Sequence, residues 1–151
     1  MVLTIKEFDE RNNQAGAIDF IHDLEEQIDQ KLLAYAKADS KTRIKIERQN
    51  RSRTCGLCDD KSTVIIAMRE DDCGKKEDSA GLYDTAPNKL GAEISKFSKD
   101  QQEFIRKTVV NDYKKQGWQA TWDKWIIDIH AYVLVIKCNK LANKIELLAI
   151  K

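Results

Sequence analysis

The sequence predicts one α+β domain spanning residues 1–151, with an antiparallel sheet of about four to six strands and two main helices packed on one face. Three observations carry this expectation. An apolar stripe at helical spacing runs from Ile21 to Tyr35, and a second lies between helix-end signals at Ser98 and Gly117. Alternating or continuous apolar runs occupy 41–47, 63–68 and 118–138.

In the first helix, Ile21, Leu24, Ile28, Leu32 and Tyr35 recur at three- and four-residue steps, predicting a helix from about Gln14 to Ala38 with Asp23, Glu26 and Lys37 turned away. Thr4 and Glu7 match a capping box, so a short leading helix is expected at the N-terminus, in competition with a strand over Val2 to Phe8. From Lys41 to Glu47, Thr42, Ile44 and Ile46 alternate with Lys41, Arg43, Lys45 and Glu47, which predicts a half-buried strand. Thr63 to Met68 is apolar at odd and even positions alike and predicts a central strand.

Between Arg69 and Lys96 the periodicity disappears, and residues 69–78 are charged at eight of ten positions. A structureless stretch this long is uncommon in a compact domain, so 69–96 is a functional loop, a mobile loop, or the cover of a short helix. Ser98 and Gln101 then form a second capping box. Phe104, Ile105, Thr108, Val109 and Tyr113 continue at helical spacing, and Gly117 supplies the left-handed position that ends many helices.

Beyond it, a two-residue turn at Asp123-Lys124 would pair Trp122 with Trp125, Ala120 with Ile127 and Trp118 with Ile129 on one face. Trp125 to Cys138 as one strand would reach roughly 46 Å, so a bulge or bend near His130 to Tyr132 is expected. Ile145 to Ile150 is either a returning antiparallel strand or part of a terminal helix carrying Leu141, Ile145 and Leu148.

Composition bounds the function. With 26 basic and 25 acidic side chains the net charge is +1, so attraction to nucleic acid or an anionic surface must come from local patches. No apolar run approaches the roughly eighteen residues that cross a bilayer, and the N-terminus lacks the order of a signal peptide, so no membrane role is expected. Four cysteines are too few for a disulfide scaffold and fit a reducing cytoplasm. Phosphate loops, nucleophile elbows, HExxH and Rossmann glycine patterns are absent, which argues against the common nucleotide-dependent and hydrolytic enzymes.

Five constellations carry chemistry. Lys41, Arg43, Lys45, Arg48, Arg51 and Arg53 stand against Glu47 alone, a surface suited to phosphates but without aromatic residues to stack bases. Its bland counterpart is a solvated strand protected by charge. Cys55-Gly56-Leu57-Cys58 has the spacing of a zinc knuckle, with Cys73 the next ligand in sequence; unligated thiols on a loop are the alternative, and a redox role is disfavoured because a strand rather than a helix follows. No other cofactor is implied. Asp128, His130 and Tyr132 alternate onto one strand face, where a carboxylate can orient an imidazole as general base. Asp19, His22 and Glu26 line one side of the first helix, as a solvated face does. Trp118, Trp122 and Trp125 fall in register with core residues rather than forming a ligand platform.

The resulting expectation is a non-enzymatic binding or regulatory accessory protein, of the kind a virus or mobile element carries. It would contact nucleic acid through 41–58, or a protein partner through loop 69–96 with Leu82, Tyr83 and Leu90 as apolar anchors. The alternatives are a small nuclease or phosphotransfer enzyme centred on Asp128 and His130, and an assembly subunit joining copies through exposed sheet edges.

Overall fold

The computed structural model of the chain describes residues 2–54, 62–70, 90–125 and 131–139. Thr4 caps the first helix, its side chain accepting from the Glu7 amide at 3.0 Å, and the leading helix and the long helix are one element, α1 (Ile5–Lys37). Its 33 residues span about 50 Å at 1.5 Å each. The buried positions Ala17, Ile21, Leu24 and Ile28 follow the predicted stripe, and Leu32 and Tyr35 pack partly against the same core. The turns from Ile5 to Gly16 are exposed throughout.

The segment 41–47 is a helix and not a strand: only Ala38 and Asp39 separate α1 from α2 (Ser40–Thr54). The physical reason lies at its start. Asp39 Oδ1 accepts the Thr42 amide at 2.7 Å, an N-terminal cap, and a charge-assisted one. That hydrogen bond holds Asp39 ionised below the usual carboxylate range. Arg43 donates to the carbonyls of Tyr35 (3.0 Å) and Ala36 (2.6 Å), closing the end of α1 and tying the two helices at an elbow. The alternation of Thr42, Ile44 and Ile46 therefore does not mark a buried face, and Ile44 is 49% exposed.

Three strands form an antiparallel sheet in the order β1-β3-β2: β1 (Ser62–Arg69), β2 (Gln119–Trp125) and β3 (Ala131–Asn139). The central strand is β3 rather than the predicted 63–68. Although β1 is marginal, Ser62 through Met68 are all buried, because α2 lies along it. Asn50 donates to the carbonyls of Val64 (3.3 Å) and Ile65 (2.6 Å), and Arg51 donates to that of Ser62. These side chains occupy carbonyls that a bare edge would offer to another strand. A bulge between Val64 and Ile66 shifts the β1–β3 register.

The hairpin also differs from the expected pairing. β2 runs straight through Asp123-Lys124, and its partner is β3, with Ala120 opposite Ile136, Trp122 opposite Leu134 and Trp125 opposite Ala131. The weak Asp-Lys turn signal loses to a register that sets Ala120 and Trp122 against the continuous apolar run 133–136. The connection between β2 and β3 falls in 126–130, outside the described residues. So does the C-terminal segment 140–151, for which strand and helix were the alternatives. Of the stretch His130 to Tyr132, where a bulge or bend is expected, Ala131 and Tyr132 are described and pair in regular register with Trp125 and Lys124.

α4 (Lys99–Lys115) has the predicted ends. Both arms of the Ser98–Gln101 capping box are present, and Gly117 adopts φ 95° just past the last turn. Its face Ile105, Val109 and Tyr113 joins α1 and the sheet residues Ile65, Ile66, Met68, Ala120, Trp122, Leu134 and Ile136 in one core cluster. A second cluster, Val64, Ala67, Val133 and Val135, comes from the opposite face of β1 and β3. Stretch 69–96 does contain a short helix, α3 (Leu90–Ile94), whose Leu90 and Ile94 are buried. Gly91 is required there, since a Cβ would meet the Glu70 carbonyl oxygen at 1.9 Å.

The described architecture is thus four helices with a three-stranded antiparallel sheet, fewer strands and more helices than predicted. Among the described residues no helix is long and apolar enough to cross a membrane.

Candidate functional site

The helical geometry of α2 sorts the six cations of 41–53 into two groups. Arg43 and Arg51 are half-buried and hold the carbonyls of α1 and β1, and Arg53 is half-buried and engaged as well. Arg43 additionally lies 5.2 Å from the centroid of the Tyr35 ring. Tyr35 in turn donates to Glu47 at 3.1 Å, and its phenol is pushed above the usual range by burial and by that carboxylate. The remaining three, Lys41, Lys45 and Arg48, are exposed.

Steps of four and three residues put these three on one stripe, with Ile44 beside it. From Lys41 to Arg48 the stripe extends roughly 10 Å along the helix axis. At ~3.4 Å of axis per phosphate in one strand of a duplex, that length matches about three phosphates. The described part of α2 carries no aromatic side chain, so the stripe can engage a backbone and has nothing to stack a base. The charge of the chain is also segregated: α1 carries eight carboxylates against four Lys and Arg, whereas α2 carries six cations against Glu47. A near-neutral protein thereby presents one basic helix and one acidic one.

The other predicted site residues separate. Asp128 and His130 lie outside the described residues, as do Cys55, Cys58, Cys73, Leu82 and Tyr83. β1 starts at Ser62, opposite Asn139, and ends at Arg69, opposite Val133. Eight strand residues put about 23 Å between those ends. Cys138 is half-buried on β3, opposite Thr63. Among the described residues no group of three or more His, Cys, Asp or Glu is arranged to hold a metal. Leu90 is 5% exposed, a core residue and not a partner anchor.

Tyr132 belongs to a clamp that sequence reasoning missed. Arg106 of α4 pairs with Glu70 through two hydrogen bonds of 2.9 and 2.8 Å, and its guanidinium sits 3.7 Å from the Tyr132 ring centroid. The Glu70 amide donates to the Tyr132 carbonyl at 2.9 Å. The pair is largely buried, at 13% and 11% side-chain exposure, so its two hydrogen bonds and the stacked ring offset the cost of desolvating two charges. The chain separation of 36 residues between Glu70 and Arg106 leaves no local signal of it. Trp118 and Trp122 pack in or against the core, and the buried Trp122 indole N–H finds no acceptor among the described residues. Asp19, His22 and Glu26 are all exposed, as a solvated helix face requires.

Two cavities flank the α1–α4 contact. The larger, about 470 Å³, is lined by Asn12, Asn13, Asp19, Lys96, Ser98 and Gln101, of which Ser98 and Gln101 are already engaged in capping α4. The smaller, about 250 Å³, is lined by Glu25, Asp29, Asp112, Tyr113, Lys115 and Gln116. There burial pushes the Glu25 carboxyl up to about 8, helped by a hydrogen bond to Asp112 and by the charges of Asp112 and Asp29. Burial and Asp29 likewise push the Tyr113 phenol up.

Comparison of the chain with protein-family models, with curated proteins and with solved structures yields no match in any of the three.

Proposed function

We propose that the protein is a non-enzymatic binding module that contacts nucleic acid through the outer stripe of α2, with Lys41, Lys45 and Arg48 on the phosphate backbone. The observation that supports this reading is the division of labour among six clustered cations. Three are engaged within the fold, and the other three share one exposed stripe with an exposed Ile44 and no carboxylate on the same line. A helix whose only buried residues are Asn50 and Thr54 is held by polar contacts to β1, which leaves its outer side free for a partner.

Recognition of this kind is independent of base sequence and depends on salt. For three phosphates the logarithmic salt slope is about −2.7, so affinity for duplex should fall roughly 40-fold between 50 and 200 mM salt. Binding to a labelled duplex, followed by anisotropy across that range, measures it. The triple substitution Lys41→Gln, Lys45→Gln and Arg48→Gln should abolish the slope while leaving the unfolding midpoint unchanged. Duplex binding that survives both high salt and the triple substitution would overturn the proposal. An absence of binding at low salt would turn the stripe toward an acidic protein partner.

A further inference from the structure

The acidic joint between α1 and α4 is independent of the basic stripe and has its own chemistry. Glu25 and Asp29 stand one turn apart on α1; Asp112 and Tyr113 face them from α4. Three carboxyl groups thus meet across a helix–helix contact whose apolar side is held by Ile21, Leu24 and Ile28 against Ile105 and Val109. Tyr113 Oη lies 2.7 Å from Asp29 Oδ1 and 2.9 Å from the Glu25 backbone carbonyl, so its one proton is shared between them and none is left for the Glu25 side chain. Glu25 Oε2 is buried without a hydrogen-bond partner among the described residues, and Asp112 lines the same cavity from α4. A buried carboxylate without a donor is costly, and a proton on Glu25 or Asp112 would let each satisfy the other.

We infer that the α1–α4 joint is a proton-held clasp that loosens when the solution becomes alkaline. With the proton in place, Glu25 and Asp112 act as donor and acceptor across the joint. When it leaves, the Glu25 carboxylate faces Asp112 beside it on α4 and Asp29 on its own helix, with Lys115, on the rim of the same cavity, the one cation among the lining groups. Like charges held this close in a partly dry contact repel, and separating the helices relieves them.

The direction of the pH dependence follows from linkage. A carboxyl whose folded-state pKa lies above its unfolded value stabilises the fold fully below the ordinary carboxylate range, and that contribution is lost as pH rises through the folded value. Here the window opens near 4.5 and closes near 8. The clasp is therefore part-way through its loss at neutral pH, where small shifts in acidity change it most.

Two measurements on the full chain test this. In a ¹³C carboxyl titration by NMR, the Glu25 side chain should titrate at about 8, well above the usual carboxylate range. In urea unfolding at pH 5.5 and 8.5, the midpoint of the unsubstituted protein should drop with rising pH. In Glu25→Gln, whose amide keeps a neutral donor in place, it should stay level, and Asp112→Asn should flatten it similarly. A Glu25 carboxyl titrating in the usual carboxylate range would overturn the inference, as would an unaltered pH slope in a folded Glu25→Gln. Should that variant not fold, the titration of the unsubstituted protein decides alone.

Discussion

α4 and α2 are neighbours in length and opposites in construction. α4 carries a complete capping box, a left-handed glycine past its end, and three fully or nearly fully buried side chains at helical spacing. α2 carries no such stripe. Its buried residues are Asn50 and Thr54, its cap is the side chain of Asp39, and it is held by Asn50 and Arg51 reaching the carbonyls of β1. The difference teaches that two helices in one small domain can be stabilised by different physics, burial in one and polar pairing in the other. Only the first leaves a periodic trace in the sequence.

Substitutions can break that contrast, and the largest effect is expected in α4. Ile105 is fully buried against α1 and the sheet, so Ile105→Ala should lose about 2–5 kcal/mol of unfolding free energy, read from urea or thermal unfolding. An effect near zero would mean that the α4 face is not the core. Asn50→Ala should cost about 1–3 kcal/mol, because it strips the donor from two buried carbonyls, and Asn50→Leu should not recover it despite added apolar surface. Recovery by leucine would show that α2 is held by burial after all and erase the distinction. The smallest of the three is Ser98→Ala, expected to cost about 1 kcal/mol through loss of one arm of the capping box.

What was legible follows the same division. The stripes of α1 and α4, the capping box at Ser98 and the apolar strand 63–68 are local patterns, and each is where the sequence places it. The capping signal at Thr4 is also real, but it opens α1 itself rather than a separate short helix, about nine residues before the expected start near Gln14. The alternation Thr42-Ile44-Ile46 is local too, but at only three inward positions it matches a strand and says nothing of the cap at Asp39 or of the carbonyls waiting on β1. The tryptophan hairpin went wrong for a related reason. A turn at Asp123-Lys124 satisfies pairing within twelve residues, whereas the structure extends β2 to Trp125 and matches it against Val133 to Ile136.

For the candidate site, the cations at 41, 45 and 48 were legible as a cluster. Their separation from Arg43, Arg51 and Arg53 was not, because it depends on what α2 packs against. The Glu70–Arg106–Tyr132 clamp and the Glu25–Asp112 pair join residues far apart in the chain, and a carboxylate in a polar stretch looks the same whether it will be solvated or buried.

By itself, then, the sequence determined the mixed class of the fold, the stripes of the two long helices with the ends of α4, and the place where positive charge concentrates. These depend on side chains within a few turns of one another, which pattern records. The tertiary structure decided that β3 is the central strand, that the basic segment is helical and closes the margin of β1, and which charges face solvent, the core or each other. Those outcomes depend on which carbonyls and carboxyls meet across the fold, and desolvation, which sets the energy of each such meeting, exists only once the partners are in place.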